Sequence, residues 1–211
     1  MKNILCYGDS NTFGFIPVSG KRYSIDERWT GILQKLLGNE YRIIEEGLNG
    51  RTTVFEDPSK AGRNGKAYLE VCLESHKPID LIIISLGTND LKTKFSASEN
   101  VIAQNMRRLI LTVKNYDYGI GYNKPEILIL APAPLGYKAD ISEELAEFDK
   151  NSIAASKKLA FKYQFLSKQE NVYFFDIGSV AQSSEEDQVH FTLASHLNIA
   201  NALYEEVKNI L

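Results

Sequence analysis

The chain has 211 residues, 44% apolar and 24% charged, with 24 basic and 27 acidic side chains intermixed for a net charge of −3. That length suits one domain, spanning 1–211, with a sizeable core. No basic stripe marks a nucleic-acid partner, and no window approaches the roughly 20 apolar residues of a membrane span.

The opening MKNILCYGDS holds an apolar run only from Ile4 to Tyr7 before Gly8-Asp9 stops it. A signal peptide needs a longer one, so a cytoplasmic protein is expected. Asn3–Tyr7 reads as the first strand, and the loop Phe13–Glu27 follows it. Trp29–Leu37 has apolar positions at helical spacing and ends before Gly38. Tyr41–Glu45 is a second strand and Lys66–Ser75 a helix. Leu81–Leu86 and Glu126–Ala131 are nearly continuous apolar runs, the pattern of strands covered on both faces. Between them, Ser98 is placed to cap a long amphipathic helix reaching Asn115. After the loop Leu135–Ile141, Ser142–Ser167 reads as a helix with Ser142 as cap and Glu143 and Glu144 in its first turn. Val172–Asp176 is the fifth strand, and Leu193–Leu211 closes the chain as a helix. Strands alternating with helices imply right-handed βαβ units. The expected fold is therefore a three-layer α/β domain around a five-stranded parallel sheet.

In open parallel sheets, ligands sit beyond the carboxyl ends of the strands. Four polar segments fall there: Gly8-Asp9-Ser10-Asn11, Gly47–Thr53, Gly87-Thr88-Asn89-Asp90 and Asp187-Gln188-Val189-His190. A serine hydroxyl is a weak nucleophile unless a base takes its proton and a third group orients that base. Ser10 lies just past a strand, where Gly8 permits a sharp turn. Of the three histidines, His76 sits at a helix end, where a cation suits the dipole, and His196 lies inside the last helix as a surface or packing residue. His190 stands at the sheet edge. Asp187, one turn earlier, can reach its Nδ1–H while Nε2 faces outward. Gly50 can offer a bare backbone N–H and Asn89 a side-chain amide to a developing oxyanion, together with the Ser10 backbone. Each segment alone also reads as an ordinary turn. Their joint placement after strands of one sheet carries the reading.

The sequence resembles the GDSL-type esterases, or SGNH hydrolases. The matching blocks are Gly8-Asp9-Ser10, Gly50, Gly87-Thr88-Asn89-Asp90 and Asp187-Gln188-Val189-His190, which together run over essentially the whole chain. Arg28–Leu33, Glu45–Thr53 and Phe175–Ser179 look more specifically like the arylesterase branch. The resemblance implies a flavodoxin-like fold, Ser10, Asp187 and His190 as catalytic residues, and hydrolysis of small-acyl esters through an acyl-enzyme. It also implies acyl transfer to alcohols in some members and homo-oligomers, octamers among them. Three positions depart from the family pattern: Asn11 where the name has Leu, Glu45 where many relatives have Asn, and Phe191 where many have Pro.

A small-molecule ester is the expected partner, with no cofactor and no metal. Phe13, Phe15, Ile16 and Leu135 are the candidate walls of the acyl pocket. Cys6 and Cys72 read as buried thiols without metal-ligand spacing. Asp9, Asp90 and Asp176 could gather around a divalent ion, although Asp176 reads better as a turn former. No Gly-x-Ser-x-Gly elbow, phosphate loop or dinucleotide fingerprint is present. Carbohydrate deacetylases and lysophospholipase-type esterases remain alternatives inside the family. Outside it, a flavodoxin-like binding module without turnover would be expected to lack one of the five site residues. Hydrolysis of a chromogenic acetate ester separates that module from an enzyme.

Overall fold

A computed structural model describes residues 1–141 and 147–211. The five strands are β1 (Lys2–Gly8), β2 (Tyr41–Gly47), β3 (Leu81–Ser85), β4 (Glu126–Ala131) and β5 (Tyr173–Asp176). They pair in the order β2-β1-β3-β4-β5, all parallel. The helices are α1 (Ser10–Phe13), α2 (Trp29–Leu37), α3 (Gly65–His76), α4 (Glu99–Asn115), α5 (Lys150–Glu170) and α6 (Leu193–Ile210).

The continuous apolar runs are explained by burial on both faces. Along β1, Ile4 and Cys6 point to the layer of α2 and α6, where Trp29, Leu33, Ile199 and Leu203 meet them. Leu5 and Tyr7 point to the layer of α3, α4 and α5, against Leu69, Met106 and Leu159. The same alternation divides Leu81 and Ile83 from Ile82 and Ile84 on β3. A period of two with both faces covered leaves no polar position until the strand ends, so side chains that carry chemistry collect there.

The chain leaves β1 for β2 on one side and later returns to β3 on the other. Such a divergence opens a crevice at the carboxyl end of the shared strand, and Ser10 follows that end directly. Gly8 is required by close approach, because a Cβ there would lie 2.0 Å from Thr12 Oγ1 and 3.0 Å from the Ser85 carbonyl.

Two elements differ from the sequence reading. The short helix α1 was not expected; Asp9 caps it by accepting from the Asn11 amide. Helix α5 starts at Lys150 and not at Ser142, because Asp149 and Ser152 form a reciprocal capping box there. The expected cap Ser142, with Glu143 and Glu144, lies outside the described residues. Ser98 does cap α4, accepting from the Val101 amide. Among the described residues, no helix is long and apolar enough to cross a membrane.

His196 is not a surface residue. It is fully buried in the α2/α6 layer, where its Nδ1 accepts the Trp29 amide and its Nε2 has no partner among the described residues. Burial, helped by the nearby Arg28 charge, pushes it down to about 4. The unfolded chain therefore binds a proton at this residue before the folded one does, and stability drops as pH falls from about 6.5 towards 4. The expected contribution is about 3 kcal/mol at the acid end, at about 1.4 kcal/mol per unit. Denaturant melts at pH 7 and pH 4.5 should show a smaller acid loss in His196→Gln than in the parent protein. Equal losses would remove His196 from the acid response.

Candidate active site

The nucleophile candidate occupies the first turn of α1, with Asp9 fixed behind it. Ser10 Oγ lies 2.9 Å from His190 Nε2, and His190 Nδ1 donates to Asp187 Oδ2 at 2.6 Å. The second oxygen of Asp187 accepts from the Ser184 hydroxyl (3.0 Å) and from the amides of Val189 (3.0 Å) and His190 (2.8 Å). Burial alone would raise its pKa. The His190 hydrogen bond and charge outweigh that, helped by the backbone amides, and hold Asp187 at about 2. It is thus a carboxylate at any physiological pH, able to fix the imidazole tautomer and to stabilise an imidazolium. Gln188 takes a positive φ of 66° to make the bend between these partners, and its carbonyl accepts the Gly136 amide.

Opposite the hydroxyl stand the expected oxyanion donors. The Arg51 amide bonds the Leu48 carbonyl across a tight turn in which Gly50 has φ 78°, a conformation that L side chains adopt with strain. Asn89 donates one amide hydrogen to the Arg51 carbonyl at 3.1 Å, which aims its side chain and leaves the second hydrogen available. Ser10, Gly50, Asn89 and His190 line one cavity of about 210 Å³. Among the described residues, no internal hydrogen bond claims the Ser10 or Gly50 amide.

Of the four pocket residues read from the sequence, only Phe15 lines this cavity, with its ring 4.2 Å from that of His190. Phe13 is turned away under the Arg22 guanidinium, 4.4 Å above its ring. Ile16 belongs to a turn closed by the Gly20 amide on its carbonyl. Leu135 is buried in the core beside α5. The other walls are Phe148, Val189 and a charged rim in which Lys94 bridges Asp57 (2.8 Å) and Glu147 (3.2 Å). These come from loops far apart in the chain, with no shared motif to group them.

Three residues beneath the site have supporting roles that the sequence reading did not assign. Asp9 and Asp90 are raised to about 6, chiefly by burial. Asp90 is held by the Thr53 amide and hydroxyl, and so steadies the segment that follows Gly50. Arg51 stacks on the Tyr7 ring at 4.1 Å and donates to the carbonyls of Gly8 and Glu46. Asp176 accepts the Gly178 amide as a turn former and does not join the other two aspartates. Glu45, the departure at the start of the second block, is clasped by Arg28 at 2.6 and 2.5 Å and takes the Thr30 hydroxyl.

This arrangement can perform acyl transfer: a hydroxyl, a base in line with it, an ionised orienting carboxylate and donors facing one small cavity. Residues 6–198 match the model of the GDSL-like Lipase/Acylhydrolase family. The aryl esterase of M. smegmatis is 38% identical, with a TM-score of 0.94 and all of both chains covered. Est24, a carbohydrate acetylesterase from Sinorhizobium meliloti, is 37% identical with a TM-score of 0.94, again over all of both chains. A putative arylesterase from Agrobacterium tumefaciens is 38% identical, with a TM-score of 0.93 and the same full coverage. No curated protein matches the chain. The fold, the placement of the motif residues and the family match over residues 6–198 converge: this chain belongs to the GDSL-like lipase/acylhydrolase family and is a carboxylic ester hydrolase.

Proposed function

We propose that the enzyme hydrolyses acetyl-like esters of polar alcohols through an acyl-enzyme on Ser10. The observation that carries this reading is the aligned chain Asp187–His190–Ser10, which opens into the 210 Å³ cavity. In the first half, Ser10 Oγ attacks the ester carbonyl as its proton passes to His190 Nε2, and the oxyanion forms toward Gly50 and Asn89. His190 then protonates the leaving alcohol. In the second half, it deprotonates a water, which releases the acid and frees Ser10. An alcohol in place of water gives acyl transfer, and the apolar Phe15, Phe148 and Val189 offer it a partly dry seat.

Two features support this substrate class. The cavity is small for a long acyl chain. Its rim of Asp57, Ser59, Lys60, Lys94 and Glu147 is polar, which favours a hydroxyl-rich alcohol such as an acetylated sugar over a lysophospholipid. The similarity to a carbohydrate acetylesterase supports the same choice. An active-site phosphonate should add once, at Ser10, with no adduct on Ser10→Ala. A panel of p-nitrophenyl esters should then lose kcat/KM as the acyl chain lengthens beyond a few carbons. Adduct on another residue, or a preference for long chains, would overturn the mechanism or the substrate class respectively. A cytoplasmic setting belongs to the same proposal, and both cysteines being unpaired buried thiols agrees with it.

Assembly as a homo-oligomer is part of the reading too. In the loop that follows α4, Ile120 is fully exposed, whereas Tyr118 is buried. A stronger apolar patch lies on α5, where Phe161 (68% exposed) and Phe165 (57% exposed) stand one turn apart. Apolar side chains so placed suit an interface. Light scattering should give a mass above that of one chain, and a monomer across a wide concentration range would refute it.

A further inference from the structure

Away from the cavity, the carboxyl end of β2 meets the last turns of α3. Glu46 comes from the strand, while Cys72 and His76 are one turn apart on the same side of the helix. One ligand atom from each lies within 4.8 Å of the others. We propose that Glu46, Cys72 and His76 bind a thiophilic divalent cation of the zinc class, with water as a fourth ligand. This inference does not depend on the esterase reading.

The donor set selects the ion. A thiolate and an imidazole with one carboxylate suit zinc-like ions and are poor ligands for calcium or magnesium. Ligand atoms around tetrahedral zinc sit about 3.3–3.8 Å apart, given bonds of about 2.0–2.3 Å. His76 Nε2 and Glu46 Oε1 are 2.9 Å apart, so an ion enters by widening a pair that is already converged. The side chains of His76 and Glu46 are 27% and 21% exposed, which leaves an entry path from solvent, while Cys72 closes the inner end.

The ligands match the charge of the ion. Burial, with the Glu46 carboxylate adding to it, keeps Cys72 a thiol, raised to about 12. On binding, the metal–sulfur bond forms as the thiol proton leaves to solvent. His76 binds through the neutral ring, and its Nε2 hydrogen moves to the other ring nitrogen. One thiolate and one carboxylate then neutralise the two charges of the ion. Arg51 Nη2 is 3.9 Å from the other Glu46 oxygen; with the ion bound, its guanidinium leaves the pocket one net positive charge, held by the Gly8 and Glu46 carbonyls and the face of the Tyr7 ring. The sequence reading set Cys72 aside. The Cys72-x-x-x-His76 spacing is helical, and the third ligand arrives only when β2 packs beside α3.

Cd²⁺ added to the purified, metal-stripped full chain is the direct probe. One equivalent should produce a saturable sulfur-to-cadmium charge-transfer band in the near ultraviolet, displaced by Zn²⁺. The band should vanish in Cys72→Ala and persist in Cys6→Ala, whose residue lies in the other layer. It should also persist in Ser10→Ala, which separates this site from the esterase mechanism. His76→Ala and Glu46→Gln, nearer the surface, should each weaken Zn²⁺ binding at least about tenfold and serve where Cys72→Ala does not fold. No saturable band in the folded parent protein, a band that survives Cys72→Ala, or unchanged Zn²⁺ affinity in both rim variants would overturn the proposal.

Discussion

Asp187→Asn is expected to lower kcat by about 10⁴-fold while the protein stays folded. The asparagine oxygen can still accept the Val189 and His190 amides that Asp187 Oδ1 accepts. Its NH₂ then faces His190 Nδ1, where the carboxylate oxygen stood at 2.6 Å. Donor against donor is repulsive, so the imidazole moves its proton to Nε2. A protonated Nε2 cannot take the proton of Ser10, although the 2.9 Å spacing is kept. The variant also loses the negative charge that stabilises the imidazolium. Steady-state hydrolysis of a chromogenic acetate ester, beside a melting curve on the same sample, tests this. Turnover within tenfold of the parent enzyme would remove Asp187 from the orienting role.

Asn89→Ala should lower kcat by about 10²–10³-fold and leave KM near its starting value, because the proposed bond forms only to the tetrahedral oxyanion. The structure adds a second, smaller effect. Asn89 also donates to the buried Arg51 carbonyl, and loss of that bond should cost about 1 kcal/mol of stability. The two readouts are separable. A phosphonate should still label the variant, slowly, because Ser10 and His190 remain. A lower melting temperature with full kcat would make Asn89 a turn-stabilising residue only.

The sheet was legible because burial on both faces writes an unbroken apolar run, as in Leu81–Ile84 and Ile127–Ala131. Ser10 and Asn89 were legible because each lies just past such a run, and Asp187 and His190 because they stand one turn apart ahead of the last helix. Phe13 and Leu135 misled because an aromatic or aliphatic residue in a loop looks the same whether it lines a cavity or packs under a helix. Which it does depends on partners distant in sequence, Arg22 for one and α5 for the other. The start of α5 was read too early because Ser142-Glu143-Glu144 offers a cap pattern, while the Asp149–Ser152 box seven residues on begins the observed helix. Of the two roles open to His196 in the sequence, surface or packing, the closeness of α2 selects packing and makes it a buried acceptor.

The bond between Ser10 and His190 joins residues 180 positions apart in the chain. A ribosome must pass His190 before the two can meet, so a growing chain is chemically inert toward esters however well β1 to β4 have formed. Contacts of such long sequence separation also form late, since the loop they close must first be ordered. Turnover in this protein is therefore a clock for the end of folding: on refolding from denaturant, helix content should recover before ester hydrolysis does, and the lag between them measures the docking of the Ser184–Thr192 segment onto the nucleophile.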